Sequence, residues 1–421
     1  MSWGDLPIDL LSAIFRYLTN DVCYLPDLYQ CVYVCSSWRH VAKELCQCSV
    51  VRTAPWLLIP REQPDRLVFD TGLYDSHNKT SIVFDDSSSS ILSLGMPISS
   101  TDQKIIVYAS HGGWLLLGPV FKWLPSESSE SEHPLFLYNP LLRVVIKLPP
   151  LPSHLRLYDN TQFVMSESSP GDPKCILCIK INWGVLAFCK PSTVLPSSWV
   201  LSVQPSSSKF YVVSMIFHKE NFYTMDDDRA LYVHPGITDF FLNGNGSGDM
   251  SRTWPWPVIE NKVALSTYKY NAIKDGCFIQ LVESKNGELL MVERIFGDEH
   301  NMRISFNVYR LTIRGSYKKK NWGSDKNNCY YYWKEVSTLE ENEALYIGCN
   351  DSVSISVNVS DSNHLNTYKP NCIYFFDEYG DELCSYGVVN LENNSIDEFD
   401  PEDDAGPKFC RLFTPTIPGY Y

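Results

Sequence analysis

Two rhythms divide the chain. Over the first 48 residues apolar positions recur at helical spacing. Leu6-Pro7 opens the pattern, and Pro7 suits the first position of a helix, where its missing N–H costs nothing. Leu10, Leu11, Ile14, Phe15 and Leu18 follow at helix spacing, and Asn20-Asp21 breaks the run. Val34, Trp38, Val41, Ala42 and Leu45 then mark one face of a further helix ending near Cys46. A short helical or turn segment lies between them, around Leu25 to Cys31. The pattern predicts a three-helix module over residues 1–48, followed by a linker over 49–65.

A module of this size buries little surface alone. About half of its apolar residues must form its own core. Yet Leu10, Leu11, Ile14, Phe15 and Leu18 span more than one stripe of the helix. A short helix that is apolar over a broad arc buries its second face against something else.

Beyond residue 50 the helical period disappears, and short apolar runs alternate with turn signals. Leu135 to Tyr138, Asn139-Pro140 and Val144 to Leu148 read as strand, turn, strand. Phe278 to Glu283, Asn286-Gly287 and Leu289 to Arg294 read as a hairpin, with Asn-Gly suited to a type I′ turn. Phe306 to Ile313, Ala344 to Gly348, Val353 to Val359 and Cys372 to Phe376 are further strands. No long amphipathic helix is visible between residues 65 and 421. A mostly β domain over 66–421 suits a β-propeller, of about six to eight blades at roughly 50 residues each. The fold class is therefore α+β multidomain: a small helical module, then a kelch-like β domain, although no strict repeat signature recurs.

Charge and composition narrow the function. The net charge is −14, which argues against a non-specific grip on nucleic acid. Residues 377–404 hold 11 of the acids and no Lys or Arg, so the remaining chain carries only −3. No apolar run is long enough for a membrane span, and the N-terminus lacks a signal-peptide pattern. The expected location is the nucleus or cytoplasm, both reducing. The 14 Cys then read mainly as small buried hydrophobes. Cys175 and Cys178, three apart on one strand, point to opposite faces and cannot share a metal. The sequons at Asn78, Asn245, Asn350 and Asn358 carry no meaning without secretion.

Catalytic patterns are missing. The nine His are dispersed without metal-ligand spacing. Gly244 to Gly248 lacks a P-loop Lys and reads as a loop. Asp226-Asp227-Asp228 lacks the later ligands of a calcium loop and reads as an acidic hairpin turn. No cofactor and no metal are expected. Three surface features stand out: the Trp254 to Pro257 loop, the Tyr330 to Trp333 aromatic cluster and the basic Lys318 to Lys320.

Taken together, these residues resemble a known family. Trp3, Leu6-Pro7, Asp9-Leu10-Leu11, Ile14-Phe15 and Leu18, followed by Val34-Cys35 and Trp38-Arg39, resemble an F-box. Gly113-Trp114-Leu115, Tyr138-Asn139-Pro140 with Leu148-Pro149, and Ile216 to Lys219 with Phe222-Tyr223 resemble its C-terminal companion domain in plants. So do Leu281 to Ser284 with Gly287 to Leu290, Trp333 to Val336, Leu345 to Gly348 and Asn371 to Phe375. The pieces follow the order of the plant F-box/kelch-like family of the KIB type, over nearly the whole chain.

The resemblance implies a non-catalytic subunit of a Skp-cullin-F-box ubiquitin ligase. The F-box would dock a Skp-type adaptor, and through it a cullin, by Leu6, Pro7, Leu10, Leu11, Ile14, Phe15, Leu18, Val34 and Trp38. Trp38 could anchor the core, the interface or both. The β domain would hold an unknown protein substrate, so that ubiquitin transfer by other subunits gains from proximity. The segment Thr19 to Asp27 is a few residues longer than the family's usual connector. That keeps open a second role, as a ligase-independent binding protein of the kinase-inhibitor type acting through the propeller. A third class, an enzyme or sugar binder built on the propeller, would need polar and carboxylate residues converging in one channel.

Overall fold

The computed structural model describes, for the most part, residues 6–19, 28–48, 56–81, 105–119, 134–203, 211–242, 253–254, 264–265, 277–295, 304–314, 330–348, 352–356, 369–378, 384–399 and 411–413. Two helices, Ile8–Thr19 and Ser36–Cys48, pack together in the N-terminal module. Leu28 and Cys31 between them are also helical, which agrees with the three-helix reading.

The rest of the described chain is a β-propeller. Five sheets follow one another along residues 105–399, here blades 1 to 5. Their inner strands are Ile105–His111, Phe163–Met165, Val212–His218, Cys277–Glu283 and Ser352–Ser356, each packed against the next. Arg411–Phe413 packs against Ile105–His111 and pairs with Trp56–Gln63, which also pairs with Arg66–Gly72. The first two described strands and the last thus share one three-stranded sheet, and Trp56–Gln63 lies within the stretch 49–65. Five sheets in succession are fewer than length alone suggests, because each takes more chain than the roughly 50 residues assumed for a blade.

Period-two alternation builds the core between blades. In blade 4, Ile279, Leu281, Leu289 and Met291 pack toward Met225 and Leu231 of blade 3. Their neighbours Val282, Leu290 and Val292 pack toward Leu345, Ile347, Ile373 and Phe375 of blade 5. A sheet covered on both faces needs apolar residues at successive positions, which explains the four apolar residues in a row from Leu289 to Val292. Trp114–Pro119 and Leu177–Ile181 are buried end to end for the same reason.

The hairpin in blade 4 joins Cys277–Glu283 to Leu289–Ile295 with Glu283 opposite Leu289, as expected. Its turn differs from expectation. The Gly287 N–H donates to the Ser284 carbonyl at 2.8 Å, the Ser284 N–H to the Glu288 carbonyl at 2.8 Å, and Gly287 alone of the loop has positive φ, +71°. A type I′ turn needs positive φ at both central residues; here a three-residue loop uses glycine to close a bulge.

Asp226 forms the expected acidic hairpin turn. Its carboxylate accepts from the Ala230 N–H and the Tyr232 hydroxyl, each at 2.7 Å, and it is buried. The aromatic cluster splits as alternation requires, with Trp333 fully buried and Tyr331 and Tyr332 half-buried. Trp254 pairs with Ser202 at the edge of blade 2. Pro255 to Pro257, Gly244 to Gly248 and Lys318 to Lys320 lie outside the described residues.

Candidate functional site: the exposed face of the N-terminal module

The Ile8–Thr19 helix begins with the Leu11 N–H donating to the Pro7 carbonyl at 3.1 Å. Asp9 stands in its first turn and Arg16 in its last, the arrangement that suits the helix dipole. Residues three and four apart share a face, so Leu11 and Phe15 form one stripe and Leu10 and Ile14 another.

The two stripes have different fates. Leu11 and Phe15 are 0% and 1% exposed, in the company of buried Leu28, Val32, Val41 and Ala42. Phe15 meets Trp38 edge to face, with ring centroids 5.1 Å apart at 75°. Arg39 Nε donates to the Val32 carbonyl at 3.0 Å and fixes the Ser36–Cys48 helix to the segment before it. Leu10 and Ile14 are left outside, 53% and 43% exposed. Val34 is 57% exposed and Ile8 51%.

The nine expected docking residues therefore separate. Leu10, Ile14 and Val34 are exposed and apolar, and Pro7 is exposed beside half-buried Leu6. Leu11 and Phe15 serve the module's core, and half-buried Trp38 packs on Phe15. The side chain of Leu18 lies outside the described residues. Ile8 was missed by sequence reasoning. It stands between Pro7 and Asp9, before the first pair of the periodic pattern, and an apolar residue in the first turn was the available signal.

The propeller holds polar groups that the sequence did not single out. Arg229 of blade 3 donates to the buried carboxylate of Glu293 in blade 4, which also accepts from Asn307 Nδ2 at 3.3 Å and the Tyr309 hydroxyl at 3.2 Å. Burial, and secondarily the Glu293 charge, raises the Tyr309 hydroxyl pKa. Glu343 of blade 5 accepts from the Lys285 N–H at 2.8 Å and the Ser354 hydroxyl at 2.6 Å. At the inner strands, the Leu281 N–H donates to Ser214 Oγ at 2.9 Å, and Ser352 Oγ donates to the Leu281 carbonyl at 2.7 Å. Gln280 Nε2 donates to the Gly348 carbonyl. Apart from the Asn307, Tyr309 and Ser354 bonds, which lie within a blade, these bonds join neighbouring blades and read as ring fastenings.

Lys180 is buried, and burial lowers its pKa to about 8. Burial also lowers His234, which shares a 2.9 Å hydrogen bond with Thr224, to about 3. The Cys175 thiol is pushed up to about 12, and Cys178 and Cys189 well above the ordinary range, again by burial. Such thiols are poor nucleophiles and poor ligands. Among the described residues no three His, Cys, Asp or Glu stand together as metal ligands, and no helix is long and apolar enough to cross a membrane.

Comparison with known proteins places this geometry. Residues 3–50 match the F-box-like family model, and residues 81–399 match the KIB1-4 beta-propeller model. An Arabidopsis thaliana protein named for an F-box, At4g22660, is 24% identical over 99% of this chain and 97% of its own. A second, At4g22180, is 23% identical over 76% of this chain and 74% of its own. The Arabidopsis F-box/kelch-repeat protein At1g57790 is 26% identical over 42% of this chain and 39% of its own. A propeller match over most of the chain, preceded by an F-box-like match on the helical module, identifies the chain as a member of the KIB1-4 beta-propeller family that carries an F-box-like domain.

Proposed function

We propose that this protein is a substrate-recognition subunit of a Skp-cullin-F-box ubiquitin ligase. The observation that carries the reading is the split of one helix. Its Leu11–Phe15 stripe is satisfied inside the module, while Leu10 and Ile14, one turn apart, remain in solvent. That apolar stripe fits a hydrophobic groove on a Skp-type adaptor, the helix-in-groove mode of recognition. Val34 adds to the exposed apolar surface of the same module.

Half-exposed Leu10 and Ile14 have about 1 kcal/mol each to gain from full burial. The interface then needs further contacts, for which Pro7, Ile8 and Val34 are available. The propeller supplies the surface for a protein substrate. Ubiquitin transfer occurs on other subunits, and this chain contributes effective concentration. Co-purification of the full chain with a Skp-type adaptor tests the reading. Leu10→Asp with Ile14→Asp should abolish it, and adaptor retention by that double variant would refute the proposal.

A further inference from the structure

Three stretches of the chain carry one pattern, a Ser or Thr hydroxyl followed at the second and third positions by carboxylates: Thr224-Met225-Asp226-Asp227, Thr338-Leu339-Glu340-Glu341 and Ser395-Ile396-Asp397-Glu398. Thr224 is buried, which leaves the other two as exposed acceptors. Acidophilic Ser/Thr kinases recognise this chemistry, because carboxylates after the acceptor pair with basic groups lining the enzyme's cleft. The sequence alone does not separate the two. The fold does, because a kinase must draw the acceptor and the residues after it away from their own neighbours.

Thr338 sits in the turn between Tyr330–Val336 of blade 4 and Glu343–Ile347 of blade 5, and that turn is clamped. The Leu339 N–H donates to Asn371 Oδ1 at 2.9 Å, and the Glu340 N–H to Glu343 Oε2 at 3.1 Å. Arg310 holds the Glu340 carboxylate at 2.7 Å, and Lys285 Nζ donates to the Glu341 carbonyl. The carboxylate that would guide a kinase is thus engaged, and so is the backbone beside it. Ser337, one residue earlier, shares the same turn.

Ser395 is held only locally, its N–H donating to Asn393 Oδ1 at 2.9 Å within its own turn. It opens Ser395–Phe399, the last strand in the order of blade 5, which pairs with Cys384–Asn390 on one side and with no described strand on the other. Ser395 and Asp397 are both exposed, and being two apart they lie on one face of the strand. Among the described residues none bonds the Ser395 hydroxyl or the Asp397 carboxylate. Ile396 packs against the blade core between them. An edge strand of five residues opens locally at far lower cost than a turn tied to three other segments.

We propose that Ser395 is a phosphorylation site for an acidophilic Ser/Thr kinase and that Thr338, despite the same local sequence, is protected by the fold. Ser395 Oγ attacks the γ-phosphorus of ATP; the Oγ–P bond forms as the bond to ADP breaks, and the hydroxyl proton passes to the kinase's base. The product sets a phosphate on the strand face that carries Asp397, in the blade that already carries the chain's acidic excess. Repulsion there weakens the pairing of the edge strand. This assignment does not depend on the adaptor reading.

The test uses the full-length protein, a purified acidophilic Ser/Thr kinase and magnesium ATP, with phosphorylated positions mapped by mass spectrometry. Synthetic peptides spanning 333–346 and 390–403 give the reactivity of each segment without the fold. Both peptides should be modified at comparable rates. In the folded protein Ser395 should be modified at least about tenfold faster than Thr338. Asp397→Asn with Glu398→Gln should slow Ser395 by a similar factor, and Ser395→Ala should remove that phosphate. A 390–403 peptide the kinase ignores, a full chain unmodified at Ser395, Thr338 modified as fast as Ser395, or indifference to the paired carboxylate change would each overturn the proposal.

Discussion

Phe15 and Trp38 meet edge to face across the two helices of the N-terminal module, ring centroids 5.1 Å apart at 75°. The contact commits the Phe15 side of the helix to the interior and leaves the Leu10–Ile14 side outside. Core and exposed apolar surface are thus two stripes of one short helix.

Trp38→Ala should act mainly through the module's stability. The aromatic pair is worth about 0.5–1.5 kcal/mol beyond its buried area. Thermal unfolding should show the module weakened, and any loss of adaptor binding should shrink at lower temperature as the module refolds. Normal module stability together with lost binding would make Trp38 an interface anchor instead.

Blade 3 and blade 4 are fastened by Arg229 and Glu293, whose side chains are 18% and 3% exposed. Arg229→Met removes the cationic partner of a buried carboxylate that also accepts from Asn307 and Tyr309, and should cost about 3 kcal/mol in urea unfolding. Replacing both residues by apolar ones should recover much of that loss.

Gly387 has no room for a side chain. An added Cβ would stand 2.5 Å from Phe375 Cζ and 2.8 Å from the Asp397 carbonyl. Gly387→Ala should therefore destabilise blade 5 by about 1–3 kcal/mol, seen as a lower denaturant midpoint.

Lys180 predicts a pH signature. Its folded pKa, about 8, lies below the ordinary lysine value of 10.5 because burial penalises the charge. Between those values the unfolded chain holds a proton that the folded chain has released, so stability rises with pH there. Below pH 8 both states are protonated and the full penalty of burying the charge applies. Lys180→Met should stabilise the protein by about 3 kcal/mol at pH 7. The advantage should fade as pH rises from 8 toward 10.5, measured as the difference between the two unfolding curves.

His234 works in the acid range with the same sign. Burial holds its folded pKa at about 3, below the ordinary histidine value of 6.5, so stability falls as pH drops between them. Replacing His234 by Gln should flatten that acid loss in unfolding curves taken from pH 6.5 down to 4.

Local signals made much of this architecture legible. The blade 4 hairpin was readable because Asn286-Gly287 interrupts two apolar runs, although the bulged turn was not, since Asn-Gly suits more than one loop length. The fastenings between blades were invisible, because Arg229 and Glu293 are 64 residues apart and neither has a local signature. In the helix, hydrophobicity alone could not sort Leu10 from Leu11 or Ile14 from Phe15. Each neighbouring pair is equally apolar, and only packing against the Ser36–Cys48 helix, through contacts such as Phe15 on Trp38, decides which member turns inward.

The most direct measurement is a titration of the purified full-length protein with a purified Skp-type adaptor, comparing wild type with Leu10→Asp plus Ile14→Asp. The double variant should keep the thermal unfolding of the wild type, because both residues lie outside the core. Its Kd should rise by at least about 30-fold, roughly 2 kcal/mol of lost apolar burial. An unchanged Kd would contradict the assignment of that stripe as the docking face.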